Sequence, residues 1–179
     1  MSGTFDLQPL LSDKLITARP LRQDDFEILY AVASDPLVWE LHPNKDRYKR
    51  EVFENFFVGA MKSKGAFLVK ENAAGKVIGS SRFYDFDTEK RTVSIGYTFL
   101  GRNYWGKNYN RALKTLMIDH AFQFTDEVYF HIGAVNVRSQ KAIEKLGAVK
   151  TDEKEITYYG ESSNLNYIYC IEKNSWKKS

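Results

Sequence analysis

Tyr104-Trp105-Gly106-Lys107-Asn108-Tyr109-Asn110 reads as a loop that opens a helix. Behind it, Tyr109, Ala112, Leu113, Leu116, Met117, His120, Ala121 and Phe124 recur at the spacing of one helical face. A helix N-terminus carries unpaired N–H groups and a partial positive charge, so it takes phosphate readily. Gly106 lets backbone come close to an anion, and Lys107 adds charge. Asn108 and Asn110 tolerate the dihedrals such loops need. The Gly-x4-Gly-Lys-Ser/Thr spacing of a P-loop is absent, and an ordinary loop glycine is the competing reading.

Working outward, Val93, Ile95, Tyr97 and Phe99 alternate as a strand leading into this loop, with Gly96 inside it. A glycine within a strand suggests a bulge or a close approach by backbone or ligand. Further upstream, Leu15 to Arg19 is strand-like, and acidic residues 24–25 start a helix that Asp35-Pro36 closes. Residues 47–63 form a second helix, ended by Gly65. Strands follow at 66–70 and 77–84. Downstream, Val128, Phe130 and Ile132 alternate, residues 137–146 are helical, and Gly147 suits a left-handed stop. Thr157-Tyr158-Tyr159 and Tyr167 to Ile171 read as a closing hairpin. This order predicts an α/β (α+β) fold, a mixed central sheet of about six to seven strands flanked by helices. Residues 1–179 are expected to form one domain, with its core over about 14–172 and residues 1–11 as a loose leader.

The composition narrows the function classes. Lys plus Arg number 26 against 23 Asp plus Glu, a formal charge of +3 without a basic stripe. Nucleic acid is therefore not expected as the primary ligand. Cys170 is the only cysteine, so no internal disulfide can form, and it sits in an apolar strand. The stretch Met1-Ser2-Gly3-Thr4-Phe5 has no signal-peptide pattern, and no apolar run approaches a membrane span. A cytoplasmic protein is expected, with no metal, because no histidines are paired at ligand spacing.

A second polar segment runs from Asn136 through Val137-Arg138-Ser139-Gln140-Lys141-Ala142-Ile143-Glu144-Lys145-Leu146 to Gly147. Asn136 follows a strand and precedes a helix, so it either caps that helix or faces a cleft where the strands ending at 100 and 133 diverge. Ser139 is either a polar first-turn residue or a group facing the same cleft.

With Ile95-Gly96-Tyr97, Tyr104-Trp105-Gly106-Lys107, and Asn136 with Ser139-Lys141-Ala142-Glu144-Lys145-Leu146-Gly147, the chain resembles the GNAT acyltransferase superfamily. The closer resemblance is to its RimJ/RimL-like branch of ribosomal-protein N-terminal acetyltransferases, whose opening Arg19-Pro20-Leu21 and Asp35-Pro36-Leu37-Val38 also fit. The resemblance implies acetyl-CoA as cosubstrate. It puts the pyrophosphate on Trp105, Gly106, Lys107, Asn108, Tyr109 and Asn110, and the pantetheine arm along Tyr97, Phe99 and Leu100. It also puts Asn136 on the cofactor arm and Ser139 near the sulfur. Two positions depart from the pattern: Asn108 replaces a glycine or alanine, and Ser94 replaces a glutamate two residues before the strand glycine.

Acetyl transfer needs an amine to lose a proton, attack a thioester carbonyl and pass through an oxyanion. Strand N–H groups near Phe99 could stabilise that charge, worth ~3 kcal/mol per donor. Ser139 is the candidate proton donor to the departing thiolate. Tyr84, Asp85, Asp87, Glu89 and His131 are the local bases, none distinguished by sequence, with water relay an equal alternative. The acceptor pocket is expected at Trp39, Glu40, His42 and Pro43 plus Tyr84. The leading expectation is an N-acetyltransferase that works by direct attack in a ternary complex. Its acceptor would be a protein N-terminus or a small-molecule amine, and the protein a monomer or homodimer. A non-catalytic acyl-CoA-binding domain, motivated by Asn108 and Ser94, is the alternative.

Overall fold

A computed structural model describes residues 3–177, so Met1 and Ser2 of the opening stretch lie outside it. The strands are β1 (Leu11–Ser12), β2 (Ile16–Pro20), β3 (Ala66–Glu71), β4 (Val77–Asp87), β5 (Thr92–Leu100), β6 (Glu127–Gly133), β7 (Val149–Thr157) and β8 (Ser163–Glu172). The longer helices are α1 (Phe26–Ala33), α2 (Arg50–Ser63), α3 (Tyr109–Ala121) and α4 (Val137–Glu144). One sheet holds all eight strands in the order β1-β2-β3-β4-β5-β6-β8-β7. Only β5 and β6 run parallel, joined through α3.

Alternation along the strands covers both sheet faces. Phe67 and Val69 of β3 join Ile95, Leu113, Met117 and Ile143 in a core under α3 and α4. Ala66 and Leu68, one residue out of phase, join Leu29, Phe53, Phe57 and Phe99 under α1 and α2. The sheet is therefore sandwiched, and its open places are where strands part.

Four details depart from the sequence reading. The sheet has eight strands rather than six or seven, because Leu11–Ser12, inside the expected loose leader, pairs antiparallel with β2. The first strand of the closing hairpin is Val149–Thr157 rather than 157–159, and Tyr158 and Tyr159 fall in its connection. All of β7 but Ile156 is exposed, so it has no apolar alternation to read, and its charges guard a sheet edge. Helix α2 ends on Lys64, which takes the left-handed conformation at φ 51°; Gly65 follows because a Cβ there would lie 2.1 Å from the Phe83 carbonyl oxygen. Residues 45–48 form a separate short turn of 3-10 helix before α2. No helix among the described residues is long and apolar enough to cross a membrane.

Candidate functional site

Pairing between β5 and β6 covers only Thr92–Glu127, Val93–Val128 and Ser94–Tyr129. Beyond Ser94 the two strands part, so the β6-facing backbone from Ile95 to Leu100 has no strand partner. The β4–β5 register slips between Ser80 and Arg82, opposite Phe99 and Gly96. This leaves one extra residue in β5, and Tyr97 absorbs it with φ 52°. Gly96 next to it leaves room for the Tyr84 ring, which a Cβ there would crowd, at 3.0 Å from its Cε1.

A cavity of ≈ 260 Å³ fills the opening. Tyr97, Phe99, Leu100, Trp105, Gly106, Asn110, Asn136 and Ser139 line it, as do Trp39, His42 and Tyr84. Lys107, Asn108 and Tyr109 belong to the same loop but do not line it.

At one end stands the loop before α3. Gly106 (φ 71°) and Asn108 (φ 68°) are both left-handed, and a Cβ on Gly106 would meet nothing. Asn108 occupies the N-cap position of α3 without a side-chain cap. The first amide to bond back is that of Ala112, to the Asn108 carbonyl at 2.9 Å, while the amides from Gly106 to Arg111 make no backbone hydrogen bond among the described residues. The Trp105 indole N–H donates to the Leu100 carbonyl at 2.8 Å, fixing this loop to the end of β5. Arg138 lies over the Trp105 ring at 3.8 Å and pairs with Glu40 at 2.8 Å, tying α4 to both.

Across the gap, the Asn136 Oδ1 accepts from the Ser139 amide at 3.2 Å, so Asn136 does cap α4. Capping uses only its oxygen. The Ser139 hydroxyl has no side-chain hydrogen bond among the described residues and lines the cavity. Lys114 also lines the cavity, though the recurrence that marks the helix face, Tyr109 to Phe124, passes it by. It is 5% exposed, donates to the Thr98 hydroxyl, and burial pushes its pKa down to about 7. The available signal was its i, i+4 spacing from Asn110.

At the other end, Tyr84, Tyr97, Tyr158 and His131 pack edge to face; the Tyr84–His131 centroids are 5.6 Å apart. Burial lowers the His131 pKa, against a smaller upward pull from Asp85. Burial likewise raises Tyr84 well above the ordinary phenol value. Of the candidate bases, only Tyr84 and His131 line the cavity. Asp87 instead caps the β4–β5 turn, accepting from the amides of Glu89 and Lys90 at 3.0 Å. Ser94 is buried at the last paired position of β5 and does not line the cavity.

The expected acceptor residues divide. Trp39 is 2% exposed, with its indole N–H on the Ala33 carbonyl at 2.8 Å, so it is a core residue showing one edge to the cavity. His42 lies between two donors, the Asn44 amide at 2.9 Å and Arg47 at 3.1 Å, and burial next to Arg47 holds its pKa well below 6.5. A ring facing only donors is poorly placed to receive a proton. Glu40 is committed to Arg138. Pro43 fills the space over Gly133, where a Cβ would lie 2.2 Å from its Cγ. The described residues contain no cluster suited to a metal ion.

Residues 16–149 match the family model described as acetyltransferase (GNAT) domain, most of the chain. The chain belongs to the GNAT acetyltransferase family. A GNAT acetyltransferase uses acetyl-CoA, and the parted strands and free amides at 106–111 fit an extended, phosphate-bearing molecule. No curated protein is significantly similar in sequence. Solved structures share the GNAT fold. A GCN5-related N-acetyltransferase from Brucella melitensis has a TM-score of 0.81 at 18% identity, over 94% of this chain and 80% of that one. RimJ from Mycobacterium smegmatis, in complex with CoA-disulfide, has a TM-score of 0.72 at 14% identity, over 96% and 90%. Spermidine N-acetyltransferase from Vibrio cholerae, with CoA and spermine, has a TM-score of 0.69 at 15% identity, over 91% and 98%.

Proposed function

We propose that this chain is an N-acetyltransferase that moves an acetyl group to a primary amine by direct attack in a ternary complex. The observation that carries the reading is the parting of β5 and β6 after Ser94, which joins the Gly106 loop to the Tyr84–His131 end in one cavity. Acetyl-CoA supplies the activated acetyl thioester. The amides from Gly106 to Arg111 hold its phosphates, with Lys107 adding charge at the rim. The unpaired edge of β5 from Tyr97 to Leu100 orients the pantetheine arm, and the amides near Phe99 stabilise negative charge on the reacting carbonyl oxygen. Asn136 holds the arm from the opposite strand end, and Ser139 donates a proton to the leaving sulfur. Trp39, His42 and Tyr84 shape the acceptor end.

His131 is our candidate for the proton acceptor. Its ring is free of side-chain hydrogen bonds among the described residues, lines the cavity, and is held neutral by burial. A neutral imidazole is competent to take the amine's proton.

The test is acetyl-CoA consumption and thiol release against N-terminal peptides and small amines. Turnover with one class supports the reading and names the acceptor. Calorimetric CoA binding without turnover would favour the second reading, a non-catalytic acyl-CoA-binding domain, which Ser94 in place of the glutamate motivates. Absence of CoA binding would overturn both.

A further inference from the structure

Arg82 is a buried cation without a partner. It is 5% exposed on β4 and makes no ion pair or side-chain hydrogen bond with any described residue. Its nitrogens are not sealed off, since the one fully buried side-chain atom lacking a partner among the described residues is Thr115 Oγ1. The guanidinium lies 3.8 Å from the Tyr97 ring centroid and 5.5 Å from that of Phe56. Arg82 is not itself among the lining residues, but it stacks on Tyr97, which lines the cavity together with Arg47 and Tyr84. Burial lowers its pKa only to about 10, so it is charged at neutral pH.

The carboxylate that could neutralise it is taken. Glu161 receives two 2.6 Å bonds from Arg47 and a third hydrogen bond from Asn44. Arg47 thus takes the carboxylate and Arg82 has none among the described residues. Such a charge is costly unless a partner arrives with its own. The neighbouring donors are also free: neither the Tyr84 nor the Tyr97 hydroxyl is hydrogen-bonded to a described residue. Among the described residues no aspartate or glutamate lines the cavity, whereas Arg47, Lys114 and Arg138 do. A polyamine would find no counter-charge on these walls.

We infer that Arg82, with the Tyr84 and Tyr97 hydroxyls, binds a carboxylate of the acceptor, so the preferred acceptor is an amine carrying a carboxylate several bonds away. This rests on the amine-acetyltransfer reading. The separation is set on the far side of the carboxylate: the Tyr84 ring packs on His131 with centroids 5.6 Å apart, so an amine beside His131 stands at least a ring's width from the carboxylate held at Arg82. That spacing suits a dipeptide, or an amine next to an acidic side chain, better than an α-amino acid.

The deciding measurement is calorimetric binding, with CoA present, of N-acetylglycylglycine and of its C-terminal amide. The wild-type protein should bind the amide at least tenfold more weakly than the acid. Arg82→Gln should bind both alike, and Arg82→Lys should keep part of the preference. Equal affinities for acid and amide in the wild-type protein, or no binding of the acid, overturn the assignment without requiring any variant to fold. Turnover is scored separately, as thiol release with glycylglycine, with a peptide bearing an acidic second residue, and with spermidine. Preference for either carboxylate-bearing amine supports the assignment and separates a small acceptor from a peptide; preference for spermidine overturns it. No release with any amine, while the acid still binds, would overturn the transferase reading and leave the Arg82 site standing.

Discussion

Arg47 and Glu161, 114 residues apart in sequence, form a buried two-bond ion pair, with Nε–Oε1 and Nη2–Oε2 both 2.6 Å. Their side chains are 2% and 6% exposed. The pair ties the short turn before α2 to the β7–β8 connection, across the end of the cavity where His42 and Tyr158 stand. Removing one partner from such a pair strands the other charge in low dielectric. Glu161→Ala should therefore cost about 3–5 kcal/mol of stability, read by urea unfolding. A loss below about 1 kcal/mol would mean that the pair behaves like a solvated surface bridge.

His131 makes a pH prediction with a definite sign. Its pKa is lowered from 6.5 mainly by burial, so the neutral, proton-accepting ring prevails at pH 7. Rate should fall only as pH drops below 6.5, through the lowered pKa. His131→Gln should reduce kcat by about 10²–10⁴-fold and abolish that acid limb, with acetyl-CoA affinity unchanged. The acceptor amine adds a limb at higher pH that both proteins share. An unchanged acid limb in the variant would remove His131 from the mechanism and favour water relay.

Much of this arrangement was legible in the chain because it rests on periodicity and special backbone. Alternation marked β5 and β6, and helical recurrence marked α3. Gly106 and Asn108 stood where left-handed backbone is needed. What escaped was polar and buried, or charged and exposed. Arg82 sits inside a strand that reads as ordinary, and only the fold reveals that no carboxylate meets it. Lys114 lies on the buried side of α3 among Leu113, Met117 and Ile118. Strand β7 is so charged that nothing local distinguishes it from a loop; its pairing with β8 alone makes it a strand. The divergence of β5 from β6 was expected only as a cleft beyond the strand ends at 100 and 133; that the strands part already after Ser94 is a tertiary event that no local spacing records.

Lys114 links its burial to stability. Its pKa is about 7 in the folded chain, against about 10.4 unfolded. Between these values the unfolded chain holds the extra proton, so stability from this group rises with pH. It is fully present above the unfolded value and lost as pH falls through about 7. Lys114→Met fills similar space without the charge, so its stability advantage over the wild-type protein should shrink as pH is raised from 6.5 to 9.5. Urea midpoints of the two proteins at several pH values measure this. A constant difference would mean that Lys114 stays charged, or stays solvated, throughout.

Ser139 separates binding from chemistry. Its amide is engaged by the Asn136 cap, and that bond survives truncation of the side chain. Ser139→Ala should therefore leave α4 and its N-terminus in place and remove only a hydroxyl that lines the cavity. A group that donates to the departing sulfur acts in the transition state and contributes little to the bound ground state, so its loss lowers kcat and kcat/KM together. We expect a fall of about tenfold to a thousandfold in turnover, with acetyl-CoA affinity within about twofold of wild type. Steady-state thiol release paired with calorimetry reads both quantities on one sample. If affinity falls as far as turnover, Ser139 anchors the cofactor arm; if neither changes, the thiolate is protonated by solvent.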